Sequence, residues 1–238
     1  VLNGFASEID GPLPAGSYTW NVRTNTKKDY EERLSNAKAL LEKAGWKPNA
    51  ETGILEKKIS GATIPLSFSI STGDAPELRQ VAQKLVTAWE KLGAKVETSV
   101  FETGDLNQNV IRPRQFDALL FGEVVGRDAD VYPFWHSSQR NDPGLNIALY
   151  ANSKADKFLE SARSTGDKEL IEKNYLSFAA ELLNDVPAVF LYTPNFLYVV
   201  PKKVQAITLG PLSVSQDRFL GIRDWYVETD HVWKIFLN

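Results

Sequence analysis

The sequence has no cysteine, no methionine and only two histidines, His136 and His231. Without cysteine there is no disulfide framework, no thiolate metal site and no cysteine nucleophile. Methionine is missing even at position 1, and Val1-Leu2-Asn3 opens no basic region followed by an apolar stretch. The chain therefore reads as a processed or cut piece of something longer. An excess of one charge is also lacking: 27 basic against 30 acidic residues leave a formal net charge of -3, too little to draw phosphate backbones or anionic lipid. Nucleic acid and membrane surfaces are poor partners for it. The most apolar run, Val186 to Pro201, is broken by Pro187 and Pro194 and falls short of the roughly 20 residues a spanning helix needs. Also missing are a nucleophile-elbow serine, an HExxH pair, a phosphate loop and a GxGxxG turn. No enzymatic activity, metal or cofactor is expected.

What is present suits a globular α/β protein. The 238 residues are 43% hydrophobic and 24% charged, enough to bury a full core. Mixed charge runs such as Lys27-Lys28 beside Glu31-Glu32 read as solvated faces. Residues 1–33 form an extended connecting segment, rich in Gly, Pro, Ser and Asn, with Gly11-Pro12-Leu13-Pro14 held extended by proline sterics. Helical periodicity follows in Asn36 to Ala44, where Ala37, Leu40, Leu41 and Ala44 share a face and Gly45 supplies a left-handed stop.

The period then switches to two. Leu66, Phe68 and Ile70 alternate with serines, as a strand with one buried face requires. Asp74-Ala75-Pro76-Glu77 has the spacing of a capping box, and Leu78, Ala82, Leu85, Trp89 and Leu92 line the helix behind it before Gly93 closes it. Val96, Thr98 and Val100 alternate again, Gly104 to Arg114 can form a short helix, and Ala118 to Phe121 is a continuous apolar strand. Strand, helix, strand, helix, strand implies a largely parallel sheet. Downstream, Ser153 and Asp167 can cap two helices, the second turning Leu170, Ile171, Tyr175, Phe178 and Leu182 inward until Pro187. Ala188 to Tyr192 then reads as a buried strand, and strand-like pieces without clear period follow at Phe196 to Val200 and Ile207 to Leu209. The expected division is an α/β ligand-binding lobe over 34–195 and a carboxyl-terminal tail over 196–238 that either crosses back towards another lobe or packs on this one.

In an open parallel sheet, ligands bind beyond the carboxyl ends of the strands. The stretch after Phe121, from Gly122 to His136, occupies such an end and is the part of the chain richest in ligand-type groups. Gly122 lets backbone approach a solute; Glu123, Asp128 and Asp130 can receive ammonium groups; Arg127 can fork onto a carboxylate. Phe134, Trp135 and His136 add ring faces for a sugar or side chain. The competing reading is a surface loop in which Asp128 caps a short helix and Phe134 and Trp135 are ordinary core. Asp128 and Asp130 point to opposite faces if extended, so a paired-carboxylate hydrolase is unsupported.

The order of segments carries a resemblance. Ala37-Lys38-Ala39-Leu40-Leu41-Glu42-Lys43-Ala44-Gly45-Trp46 resembles the helix ending in Ala-Gly-Trp or Ala-Gly-Tyr of family 5 extracellular solute-binding proteins, the peptide, oligosaccharide and nickel receptors of bacterial ABC importers. Leu92-Gly93-Ala94-Lys95-Val96 and Phe116 to Gly122 follow at similar distances. Tyr150-Ala151-Asn152-Ser153-Lys154-Ala155-Asp156 is similar to the family's Tyr-x-Asn-Pro-x-x-Asp, and Asp185 to Tyr192 to its Asp-x-Pro-x-x-x-Leu-Tyr.

The resemblance implies a periplasmic-binding-protein-like lobe, its mostly parallel sheet flanked by helices, from a two-lobe clamp whose amino-terminal lobe is missing. It implies a monomeric receptor outside the cytoplasm, periplasmic or surface-anchored as a lipoprotein, handing peptides or oligosaccharides to ABC permease subunits. A solute-sensing domain of a regulator is the alternative with the same fold. By the same resemblance Asp130 takes the acidic position that receives a peptide's amino terminus. Asp130-Val131 stands where the family has Asp-Pro, and Gly122-Glu123 where it has Gly-Trp.

Overall fold

The computed structural model describes residues 1–13, 30–126, 128–210, 212 and 214–227. Backbone contacts divide the chain into two compact units, one of residues 1–3, 21–122 and 133–157, the other of residues 4–20, 123–132 and 158–238.

The first unit is built on a three-stranded sheet. Ser67–Gly73 lies in the middle, hydrogen-bonded in parallel to Lys95–Phe101 on one side and to Ala118–Leu120 on the other, as the alternation of strands and helices requires. The strand's position explains where the period-two reading stops. Ile70, Ser71 and Thr72 are all buried, because a central strand loses solvent on both faces once helices cover it. The hydroxyl of Thr72 is satisfied there by donating to the Leu120 carbonyl at 3.0 Å.

Helix Pro76–Glu90 returns the chain between the first two strands. Its first turn carries proline, whose missing N–H would lack an intrahelical partner in any case. Its N-cap is Ala75, with no side-chain cap; Asp74 lies one residue too early to act as the expected acceptor, and its carbonyl instead receives Arg79 Nε at 3.0 Å. The buried stripe is centred on Val81, Ala82 and Val86, with Leu78, Leu85 and Trp89 half-buried along its flank. Trp89 meets Phe68 edge-on, ring centroids 5.2 Å apart, as a core residue does.

The stretch expected as a short helix after Gly104 is Thr103–Asp105 continued by a wider π-helical turn, Leu106–Ile111. Leu106, Val110 and Ile111 form a buried cluster against Phe101, Phe116, Leu119 and Ile147. Helix Tyr30–Lys43 starts earlier than its periodicity indicated. It ends with the N–H groups of Gly45 and Trp46 on the carbonyls of Glu42 and Leu41, the paired bonds that a glycine at φ +90° permits. None of its residues is buried, and Leu40 is 67% exposed. An antiparallel meander of Lys47–Pro48, Leu55–Ile59 and Ala62–Pro65 follows it.

In the second unit the long helix is Lys168–Asp185. Asp167 caps it as expected, accepting the N–H groups of Glu169 and Leu170 at 2.9 and 3.3 Å. Tyr175, Phe178, Ala179 and Leu182 are buried, Ile171 is half-buried and Leu170 faces outward. Val186, left-handed at φ 52°, and Pro187 stop the helix.

Ala188 to Leu191 is not the buried strand that its composition indicated. Among the described residues pairing is confined to Tyr192–Pro194, antiparallel to Ala6–Glu8, with one further bond from the Ile9 N–H to the Leu191 carbonyl at 3.5 Å, and Val189 is 75% exposed. Pro187 and Pro194 lack donors, and the partner strand is three residues long, which keeps the paired segment short. Phe196 to Val200 is likewise not a strand; the last pair is Val204–Gln205 with Tyr226–Val227. Gly11 to Leu13 bend rather than run extended, while Lys27, Lys28, His231 and Trp233 lie outside the described residues.

Candidate ligand-binding loop

The strand Ala118–Leu120 delivers the chain at its carboxyl end into Phe121, Gly122 and Glu123, all exposed. Space around Gly122 is open to 4 Å at the position a Cβ would take, so the backbone there is accessible to a solute. Arg127 lies outside the described residues.

From Gly126 the chain turns rather than running extended. Ala129, at φ 53°, donates its N–H to the Gly126 carbonyl at 2.9 Å, and the Asp128 carboxylate accepts the Asp130 N–H at 3.3 Å. This turn separates the two carboxylates by environment. Asp128 is exposed, whereas Asp130 is half-buried beside the fully buried Val131.

Asp130 is heavily engaged within the second unit. One of its oxygens accepts Arg163 Nε at 2.9 Å and also Arg163 Nη2; the other accepts the Tyr132 N–H at 3.1 Å and the Tyr175 hydroxyl at 3.2 Å. The Arg163 guanidinium also lies over the Tyr132 ring, 3.8 Å from its centroid. Burial by itself would raise the Asp130 pKa, but the hydrogen bonds from Arg163, Tyr132 and Tyr175 outweigh it and hold the group below the usual carboxylate range.

A depressed folded-state pKa stabilises the fold above the unfolded carboxylate value of about 4, and that contribution is lost as pH falls through the lower folded value. Denaturant midpoints are therefore expected to fall below about pH 4. In Asp130→Asn that part of the acid dependence disappears; an unchanged pH profile would refute the assignment.

The other ring-bearing residues belong to the first unit. Phe134 is half-buried. Trp135 is 4% exposed and meets Tyr150 edge-on at 6.5 Å. His136 is also buried; its Nδ1 lies 2.8 Å from the Ser138 hydroxyl and accepts the Ser138 N–H at 3.1 Å. Its Nε2 lies 3.8 Å from Asp156, whose carboxylate accepts the N–H and hydroxyl of Ser137 at 2.9 and 2.6 Å.

Asn146, with no exposed surface, donates to the carbonyls of His136 and Tyr150 at 3.1 and 2.9 Å and accepts the Tyr150 N–H at 3.0 Å. Gly144 beside it is enclosed: a Cβ there would meet the Gln139 carbonyl oxygen at 2.2 Å. Its own carbonyl receives Arg114 Nη2 at 2.7 Å. Helix Ser153–Ser164 begins one residue after its cap, for Asn152 rather than Ser153 accepts the N–H groups of Lys154 and Ala155.

The sequence reading gave no role to Arg163 or Asn146, and it placed Tyr175 on an inward helix face and Asp156 in a motif without their partners. Each acts on a partner distant in sequence or on backbone, and no local spacing announces such contacts. Among the described residues no group of three or more His, Asp or Glu is placed to hold a metal ion, and no helix is long and apolar enough to cross a membrane.

A parallel sheet whose last strand feeds a glycine-bearing polar loop is the arrangement of an α/β ligand-binding lobe. The profile of the bacterial extracellular solute-binding proteins, family 5, matches residues 1–174. The chain belongs to this family. It is 30% identical over 204 residues to the oligopeptide-binding protein AppA of Bacillus subtilis, an alignment covering 84% of this chain and 36% of AppA.

The solved structure of AppA in complex with a nonapeptide superposes with a TM-score of 0.69 at 26% identity, covering 94% of this chain and 43% of that one. NikZ from Campylobacter jejuni in complex with Ni(L-His) superposes at 0.67 with 25% identity, covering 94% and 44%. The chain thus spans well under half the length of these relatives.

Proposed function

We propose that this chain is the larger part of the ligand-binding lobe of a receptor for an ABC importer, and that the receptor captures short peptides without turning them over. The observation that carries the reading is the loop that leaves the carboxyl end of the parallel sheet inside the region matched to family 5, in which Gly122, Glu123, Gly126 and Asp128 are exposed. Peptide is favoured over other solutes because AppA, a relative 30% identical over 84% of this chain, is an oligopeptide-binding protein. On this reading Gly122, Glu123, Arg127 and Asp128 meet the solute, Asp130 is held by Arg163 and Tyr175 within the second unit, and Phe134, Trp135 and His136 serve the packing of the first. An amino-terminal lobe closes over the solute, and permease subunits receive it outside the cytoplasm.

The test is native mass spectrometry of the full-length protein carrying this chain, mixed with a library of pentapeptides. Retained and chemically intact peptides are expected. Replacing Glu123 and Asp128 together by Ala should reduce retention about tenfold, the scale of one lost charge-assisted contact. Cleaved peptides, or retention indifferent to both substitutions, would overturn the reading.

A further inference from the structure

Arg163 and Asp130 are 33 residues apart in sequence, yet the pair is built as a complete receptor for a guanidinium. The carboxylate takes two of its nitrogens, the ring of Tyr132 lies under its plane, and the Tyr175 hydroxyl and Tyr132 N–H fill the remaining carboxylate oxygen. Planar forks and ring faces suit arginine in particular; an ammonium could take the charge contact but not the paired, stacked geometry. Arg163 keeps 42% of its side chain exposed, whereas Asp130 keeps 21%. Solvent therefore meets the cation of the pair before it meets the anion.

We propose that Arg163 is a positioning and specificity residue, an internal cation that occupies Asp130 and so prevents this carboxylate from selecting solutes by a free amino group. The inference rests on the peptide reading above and changes what Asp130 does within it. An incoming ammonium would have to displace a partner that is tethered to the fold, doubly hydrogen-bonded and stacked. The free carboxylate of the turn is Asp128, which is exposed and accepts only the backbone N–H of Asp130 among its described contacts. Arg163 and Asp130 together hold the Gly126–Tyr132 turn to the helix Ser153–Ser164 and leave it neutral at that point.

The experiment uses the full-length protein and an equal mixture of pentapeptides with free and with acetylated amino termini, reading the ratio of the two retained forms by mass spectrometry. Asp130→Asn is expected to leave the wild-type ratio within about twofold, because that carboxylate does not touch the solute. Arg163→Met uncovers Asp130 and should shift the ratio about tenfold towards free amino termini, the lower end for a charge-assisted contact. The double variant should return to the wild-type ratio, and Arg163→Lys, which keeps a cation, should stay near it. Should Arg163→Met fail to fold, Arg163→Gln replaces it and is read beside the Asp130→Asn arm. A tenfold loss of discrimination in Asp130→Asn, or an unmoved ratio in Arg163→Met, would overturn the inference while leaving the peptide reading intact. Retention of no peptide of either kind would overturn both.

Discussion

Asn146→Ala is expected to unfold the first unit at markedly lower denaturant than the parent chain. The side chain of Asn146 is fully buried and serves three backbone groups, the carbonyls of His136 and Tyr150 and the N–H of Tyr150. Truncation removes all three bonds, at about 1–3 kcal/mol for each buried group that loses its partner, while the His136 carbonyl keeps the Gln139 N–H at 2.9 Å. With two groups affected, the low end is about 2 kcal/mol, a large share of the ~5–15 kcal/mol a domain has in total. Asn146→Asp should cost more still, because it keeps the acceptor, loses both donors and buries a charge. Chemical denaturation followed by near-ultraviolet circular dichroism reads both variants. A loss below 1 kcal/mol for Asn146→Ala would mean that the segment from His136 to Tyr150 holds its shape without this side chain.

Phe178→Ala should be comparably severe for the second unit. Phe178 has no exposed surface and sits between Tyr175, Ala179 and Leu182 on the buried face of helix Lys168–Asp185. Removing a ring from a core costs about 3–5 kcal/mol, the transfer free energy plus the cavity left behind. Leu170→Ala on the same helix is the control: that residue is 43% exposed, and the change should stay within about 0.5 kcal/mol. Urea midpoints of the two variants give the comparison. Equal losses would show that the inward face of this helix has been misassigned.

Much of the fold was legible because it follows from local rules. The parallel sheet could be read from alternating strands and helices, the stop at Gly45 from its need for positive φ, and the cap at Asp167 from an acceptor one residue before an apolar stripe. The errors arise where context overrides pattern. Ser71, on the face opposite Ile70, reads as solvent-facing but is buried, because a central strand loses solvent on both faces. Ala188 to Leu191 read as a buried strand on composition, yet it has no partner strand long enough to pair with.

The loop shows the same division. Its position after the last parallel strand was legible, and so were its carboxylates. Which carboxylate is already taken was not, because the decision lies with Arg163 and Tyr175, 33 and 45 residues further along. A formal charge is visible in sequence; its compensation becomes visible only in three dimensions.

Gly144 bears on how far this protein can vary. With backbone oxygen only 2.2 Å from where any side chain would begin, the position admits one letter of the alphabet, and that letter carries no functional group to hint at why. Sequence drift across the segment from His136 to Tyr150 is thereby channelled into its outward residues. A glycine kept there would record the crowding of the backbone and say nothing about the solute.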